Sequence, residues 1–169
     1  MNMKIKSGFT LIESLIVISI IALLVSAGVL SYRQFALRQQ VESNIRNLVE
    51  DLKIIQKLSS SGNKTAPGCT GVLDGYVWAP ANCNGSNCRS YETKVRCNQT
   101  TSLTPLKRVD FPTNLTLIVG GVPTGGIIFK SLEQGTNIPT GSIGTQITIR
   151  DSVSNYSRTV TVTNTGEIE

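Results

Sequence analysis

Between Leu15 and Leu30 the chain reads LIVISIIALLVSAGVL, a stretch without charge whose only polar side chains are Ser19 and Ser26. Counted from Phe9 the apolar run is 22 residues, about 33 Å of helix at about 1.5 Å per residue. A hydrocarbon core is about 30 Å thick, so the run is long enough to cross one. The pattern then changes without a break. Leu37, Val41, Ile45, Leu48, Leu52 and Ile55 recur at steps of three and four, the spacing of one apolar stripe on a helix. Arg38, Glu42, Arg46, Glu50 and Lys53 fall largely off that stripe. One helix is therefore expected from Phe9 to Leu58, ended by the Ser59–Asn63 cluster.

Beyond the helix the pattern is that of strands between turns. Residues 62–100 read as loop-heavy, with strands near Gly75–Ala79 and Tyr91–Cys97. Leu115–Val119 and Ile127–Phe129 are apolar and β-prone, and glycine pairs at 120–121 and 125–126 mark turns. Gln146–Arg150 and Arg158–Thr163 alternate with period two and are expected to pair antiparallel. The fold class is α+β: a long N-terminal helix packed on a C-terminal antiparallel β-rich head. The expected division is a leader over 1–8, a helix over 9–60 with its transmembrane part at 9–30, and a head over 61–169 with a Cys-containing loop region over 69–97. No repeat or low-complexity tract is present.

Composition refines this picture. The chain has 169 residues and a net charge of +5, room for one domain and an appendage. Without residues 1–8 the tally is 14 basic against 11 acidic, too mild to indicate nucleic acid. The two leader lysines, Lys4 and Lys6, would also suit a secretory signal peptide. The apolar run is longer than such a signal needs and passes straight into the helical stripe, which favours a retained anchor. Positive charges lie on both sides of the run, so they do not set its orientation. Cys69, Cys83, Cys88 and Cys97 all follow it within 29 residues. Their even number in a Gly/Asn/Ser-rich segment points to disulfides and a non-cytosolic head. Three pairings are open, with Cys69–Cys83 and Cys88–Cys97 preferred. The rival reading is a zinc site, but the chain has no His and no C-x2-C knuckle.

Catalysis finds no support. The absence of His excludes the usual Ser-His and Cys-His nucleophiles, and no phosphate- or dinucleotide-binding glycine pattern occurs. Asp74, Asp110 and Asp151 read as turn residues, and the five Asn-x-Ser/Thr sequons as chance. Neither an enzymatic activity, a cofactor nor a metal is expected. The residue that asks for an explanation is Glu13, a carboxylate at the head of an apolar run. Isolated in mid-bilayer a charged side chain costs about 3 kcal/mol or more. On a helix starting at Phe9, Glu13 lies one turn on, where the helix dipole favours an acid.

Gly8-Phe9-Thr10-Leu11-Ile12-Glu13, after a short basic leader and before an unbroken apolar run, resembles the class III signal of type IV pilins and type II secretion pseudopilins. The resemblance extends from residue 4 to Ser31-Tyr32. It implies that a prepilin peptidase cuts between Gly8 and Phe9 and that the new amine of Phe9 is N-methylated. It also implies that Glu13 meets the N-terminal amine of a neighbouring subunit during assembly. The spacing alone allows the pair within one chain as well as between two. Where major pilins often carry a helix-breaking proline this chain has Leu30, and it has Ala22 in place of an interior glycine. The missing proline, with the large Cys-bearing head, leans toward a minor subunit.

The C-terminal strands, Gln146–Ile149 and Tyr156–Thr163, with Asn164-Thr-Gly-Glu-Ile168 resemble the GspH/FimT-like minor pseudopilins. Some relatives bind DNA near this end, for which Arg150 and Arg158 are the candidates. The acidic tail at Glu167 and Glu169 stands where a basic turn would be wanted. The resemblance thus implies a structural subunit in the bacterial inner membrane, its head periplasmic or extracellular, later built into a pilus or pseudopilus. Its partners would be other subunits, the prepilin peptidase and membrane lipid. The alternatives are a DNA- or ligand-binding minor pilin of a competence system, or an unrelated single-pass anchored β-domain.

Overall fold

A computed structural model describes residues 10–64, 69, 71–98, 100–101, 105–132 and 135–169. Helix α1 runs from Leu11 to Ser60 over 50 residues. The chain divides into two compact units, one up to Leu37 and one spanning Arg38–Glu169. The second half of α1 thus belongs with the sheet. The reason is the apolar stripe: Val41, Ile45, Leu48, Leu52 and Ile55 are all buried there.

The helix stops as its sequence asks. Gly62 adopts φ +61°, its N–H donates to the Ser59 carbonyl, and the Asn63 N–H reaches back to the Leu58 carbonyl. That pair of bonds is a Schellman cap, which requires a left-handed residue that glycine supplies without a Cβ clash.

The head is one antiparallel sheet in the order β6-β1-β2-β5-β7-β8, with the short β3 and β4 also pairing with β2. The strands are β1 (Leu73–Asn84), β2 (Asn87–Cys97), β3 (Thr100–Thr101), β4 (Lys107–Asp110), β5 (Leu115–Gly120), β6 (Ile127–Lys130), β7 (Thr145–Asp151) and β8 (Ser157–Val162). β7 and β8 pair in the expected way, with the Thr148 and Thr159 hydroxyls 2.8 Å apart across the ladder. The helical stripe packs with Trp78, Tyr91, Leu115, Leu117, Ile127, Ile147 and Ile149 in a single core.

Residues 62–100 hold both expected strands, inside β1 and β2, but correct the loop-heavy expectation around them. They hold a long hairpin, β1 and β2, registered from Leu73↔Cys97 to Asn84↔Asn87 with a register shift between Leu73 and Gly75. Pro80 and the asparagines near the tip hide the strand character, yet Pro80 pairs opposite Tyr91 within the ladder. The turn is Gly85-Ser86, with Gly85 at φ +62°, the glycine-first pattern of a tight hairpin. β4 also escapes a pattern reading. Its sequence KRVD carries three charges and largely faces solvent.

Candidate functional site

Two regions carry the candidate residues. In the N-terminal unit, the Glu13 backbone N–H donates to Thr10 Oγ1 at 3.4 Å. In return the Thr10 N–H and hydroxyl donate to Glu13 Oε2 at 3.2 and 3.1 Å. This is a capping box, T-x-x-E, which satisfies donors that the first helical turn otherwise leaves open. The motif was legible at Thr10-Leu-Ile-Glu13 but hidden behind the more conspicuous apolar run. Glu13 therefore has local partners of its own. Gly8 and Phe9, the expected cleavage pair, lie outside the described residues.

After Glu13 no charge occurs until Arg33. Among the described residues α1 is the one helix long and apolar enough to cross a membrane, and none of its apolar window is buried. Leu11, Leu23 and Leu24 are 84%, 71% and 68% exposed. The two hydroxyls between Leu15 and Leu30 turn inward on the backbone: Ser19 donates to the Leu15 carbonyl and Ser26 to the Leu23 carbonyl, each at 2.8 Å. The run thus presents hydrocarbon with its polar donors already satisfied, as a lipid-facing helix must.

In the head, the four cysteines form Cys69–Cys97 and Cys83–Cys88. The preferred pairing of Cys69 with Cys83 and Cys88 with Cys97 is corrected. The hairpin register decides it, because Cys83 and Cys88 stand directly opposite each other near the turn, with Cα atoms 3.9 Å apart. All four sulfurs are thereby committed to bridges, which removes them as zinc ligands.

Arg150 and Arg158 are not brought onto one sheet face. Arg158 stands opposite Ile149 and Arg150 opposite Ser157, and since side chains alternate across a strand the two point to opposite faces. Arg158 donates to Glu42 Oε1 at 2.6 Å, and the Tyr156 hydroxyl donates to the same oxygen at 2.6 Å. Arg150 donates to Asn155 Oδ1 at 2.7 Å. Asp151 is a buried cap more than a simple turn residue, accepting from the Ser154 N–H and hydroxyl and from the Asn114 amide.

Residues 3–29 match the family model of the prokaryotic N-terminal methylation motif. No curated protein and no solved structure matches the chain. The methylation motif takes in Gly8, Phe9, Glu13 and the apolar run through Val29, and it supports a type IV pilin-like N-terminus. It ends before Arg38, so the head has no counterpart among the comparisons.

Outside the methylation motif, sequence reading missed Asp51. It lies three residues after Leu48 and four before Ile55, on the buried stripe. That spacing was the available signal. Its carboxylate accepts from the Tyr91 hydroxyl and from Lys107 Nζ, each at 2.7 Å. Among the described residues no cluster of three or more His, Cys, Asp or Glu gathers as a metal site.

Two head carboxylates predict the acid response. Glu42 is held below the ordinary carboxylate range, first by the Tyr156 hydroxyl and then by Arg158. For Asp151, burial pushes upward, but the Ser154 and Asn114 bonds outweigh it and the net shift is downward. Both groups bind protons more weakly folded than unfolded. Their stabilisation is therefore complete above the unfolded carboxylate range and lost as pH falls through the folded values. Denaturation followed from pH 7 downward is expected to give constant stability to about pH 5 and a steep fall below about pH 4. Glu42→Gln should make that fall shallower.

Proposed function

We propose that the chain is a prepilin-type structural subunit, cut between Gly8 and Phe9 and N-methylated on Phe9. Its apolar run holds it in the inner membrane before it is assembled into a type IV pilus or type II secretion pseudopilus, as a minor subunit. The observation that carries this reading is the methylation-motif match over residues 3–29, joined to a helix whose apolar window is entirely exposed. An exposed run of that length is unstable in water and needs either lipid or other helices.

In the proposed sequence of events the capping box holds Glu13 in the precursor. Cleavage then creates an amine at Phe9, one turn away. The carboxylate can exchange its bonds to Thr10 for that of an amine, its own or a neighbour's, with no net charge left in the hydrocarbon. The head's disulfides fit an oxidising compartment on the far side of the membrane.

Intact-mass and N-terminal measurement of the native protein tests the reading. The expected product lacks residues 1–8, begins at Phe9 and carries one added methyl group. An unmodified chain still beginning at Met1 in the membrane fraction would overturn it.

A further inference from the structure

Lys53, Lys57 and Lys130 line a groove beside the end of α1, whereas the opposite end, at Arg38–Glu42, carries arginines. The Arg38 guanidinium lies 5.7 Å from the centre of the Tyr156 ring. Arg158 and Tyr156 share Glu42, and Arg150 rests on Asn155 in the β7–β8 turn. Arg89 donates to the Thr113 carbonyl at 2.9 Å. The next residue, Asn114, bonds to both Gln40 and Asp151. All four arginines are exposed. The acids at this end are committed: Glu42 to Tyr156 and Arg158, buried Asp151 to Ser154 and Asn114, and Asp110 to Arg108. At the tip of the β7–β8 turn Val153 is 69% exposed.

We infer that this end of the head is a docking rim for anionic phospholipid headgroups. Guanidinium groups suit phosphate oxygens because their donors form a rigid planar fork. The two sheet faces that separate Arg150 from Arg158 meet at this end, so a broad surface approached end-on reaches both. An exposed valine among the arginines fits a lipid interface, where an apolar side chain enters below the phosphates. Chain length supplies the proximity. Arg38 is the eighth residue after Leu30, and eight residues reach no further than about 28 Å even fully extended. The inference rests on the reading of residues 9–30 as a membrane span.

The test uses the full chain in nanodiscs of neutral phosphatidylcholine, alone or with phosphatidylglycerol, and reads amide hydrogen exchange in residues 113–114 and 152–156. Exchange there is expected to slow in the anionic discs and to revert at high salt. Arg89→Gln and Arg150→Gln should each reduce the protection about fivefold, and Val153→Ser should reduce it as well. Lys57→Gln, at the other end, should leave it unchanged. Equal exchange in the two lipids by a chain that remains inserted would overturn the rim while sparing the span. A chain that fails to insert in neutral discs would overturn both. Protection of the same turns by duplex DNA, with none from the anionic lipid, would reassign the rim to nucleic acid.

Discussion

Trp78→Ala is expected to lower the unfolding free energy of the head by about 4 kcal/mol, a large part of what a domain of this size has in total. Trp78 sits in β1 opposite Thr93, is fully buried, and lies 5.8 Å from the Tyr91 ring, which continues to Phe111 at the same spacing. Truncation would leave a cavity between helix and sheet. The surrounding β-ladder restrains its collapse, because Trp78 is paired on both sides, to β2 and to Ile127 of β6. Trp78→Phe separates volume from polarity. The buried indole Nε1 has no hydrogen-bond partner among the described residues, so phenylalanine deletes an unsatisfied donor together with part of the ring. Its loss should therefore be much smaller, about 1 kcal/mol. Far-UV circular dichroism of the detergent-solubilised chain in urea measures both variants, since each removes the only tryptophan. Similar losses for alanine and phenylalanine would show that the site is not governed by packing volume.

What the sequence disclosed followed from the strength of each periodicity. The apolar run and the stripe from Val41 to Ile55 are long and regular, and the helix ends within two residues of the expected Leu58. β5 to β8 were legible for the same reason: they alternate or run apolar between glycine turns. The β1–β2 hairpin was legible only at Gly75–Ala79 and Tyr91–Cys97, because Pro80, Asn82, Asn84 and Asn87 carry turn chemistry inside a ladder set by pairing with distant partners. The cysteine pairing failed with it, since connectivity depends on a register that spacing alone does not fix. At the N-terminus the signal was legible as a whole, while the Thr10–Glu13 box was missed. Both readings use Thr10 to Glu13, and they differ in whether Glu13 serves the helix end or an amine created later. Charged residues that enter the core were the least visible, because a polar residue on an apolar stripe reads as noise until its partner strand is in place.

Asp51→Ala is expected to cost about 3 kcal/mol, and its size comes from what is left behind. The Tyr91 hydroxyl is buried with its ring, and loss of its acceptor strands a donor at a cost of about 1–3 kcal/mol. Tyr91 keeps its proton throughout, because burial, reinforced by the bond to Asp51, pushes the phenol far above its ordinary range. Lys107 behaves differently. Its side chain is 54% exposed against 6% for Asp51, so its ammonium can turn to water, and the cost stays at the low end of the 3–5 kcal/mol typical of breaking a fully buried pair. Three companions test this partition. Asp51→Asn retains an acceptor for Tyr91 and should cost about 1 kcal/mol. Lys107→Met leaves the buried carboxylate with only the phenol and should cost more than that. Asp51→Leu combined with Tyr91→Phe removes donor and acceptor together, and should be less destabilising than Asp51→Ala despite changing two core residues. A double variant worse than Asp51→Ala would mean that the network contributes net stability beyond mutual satisfaction. The lesser loss would mean that Asp51 and Tyr91 satisfy one another without adding net stability over an apolar pair.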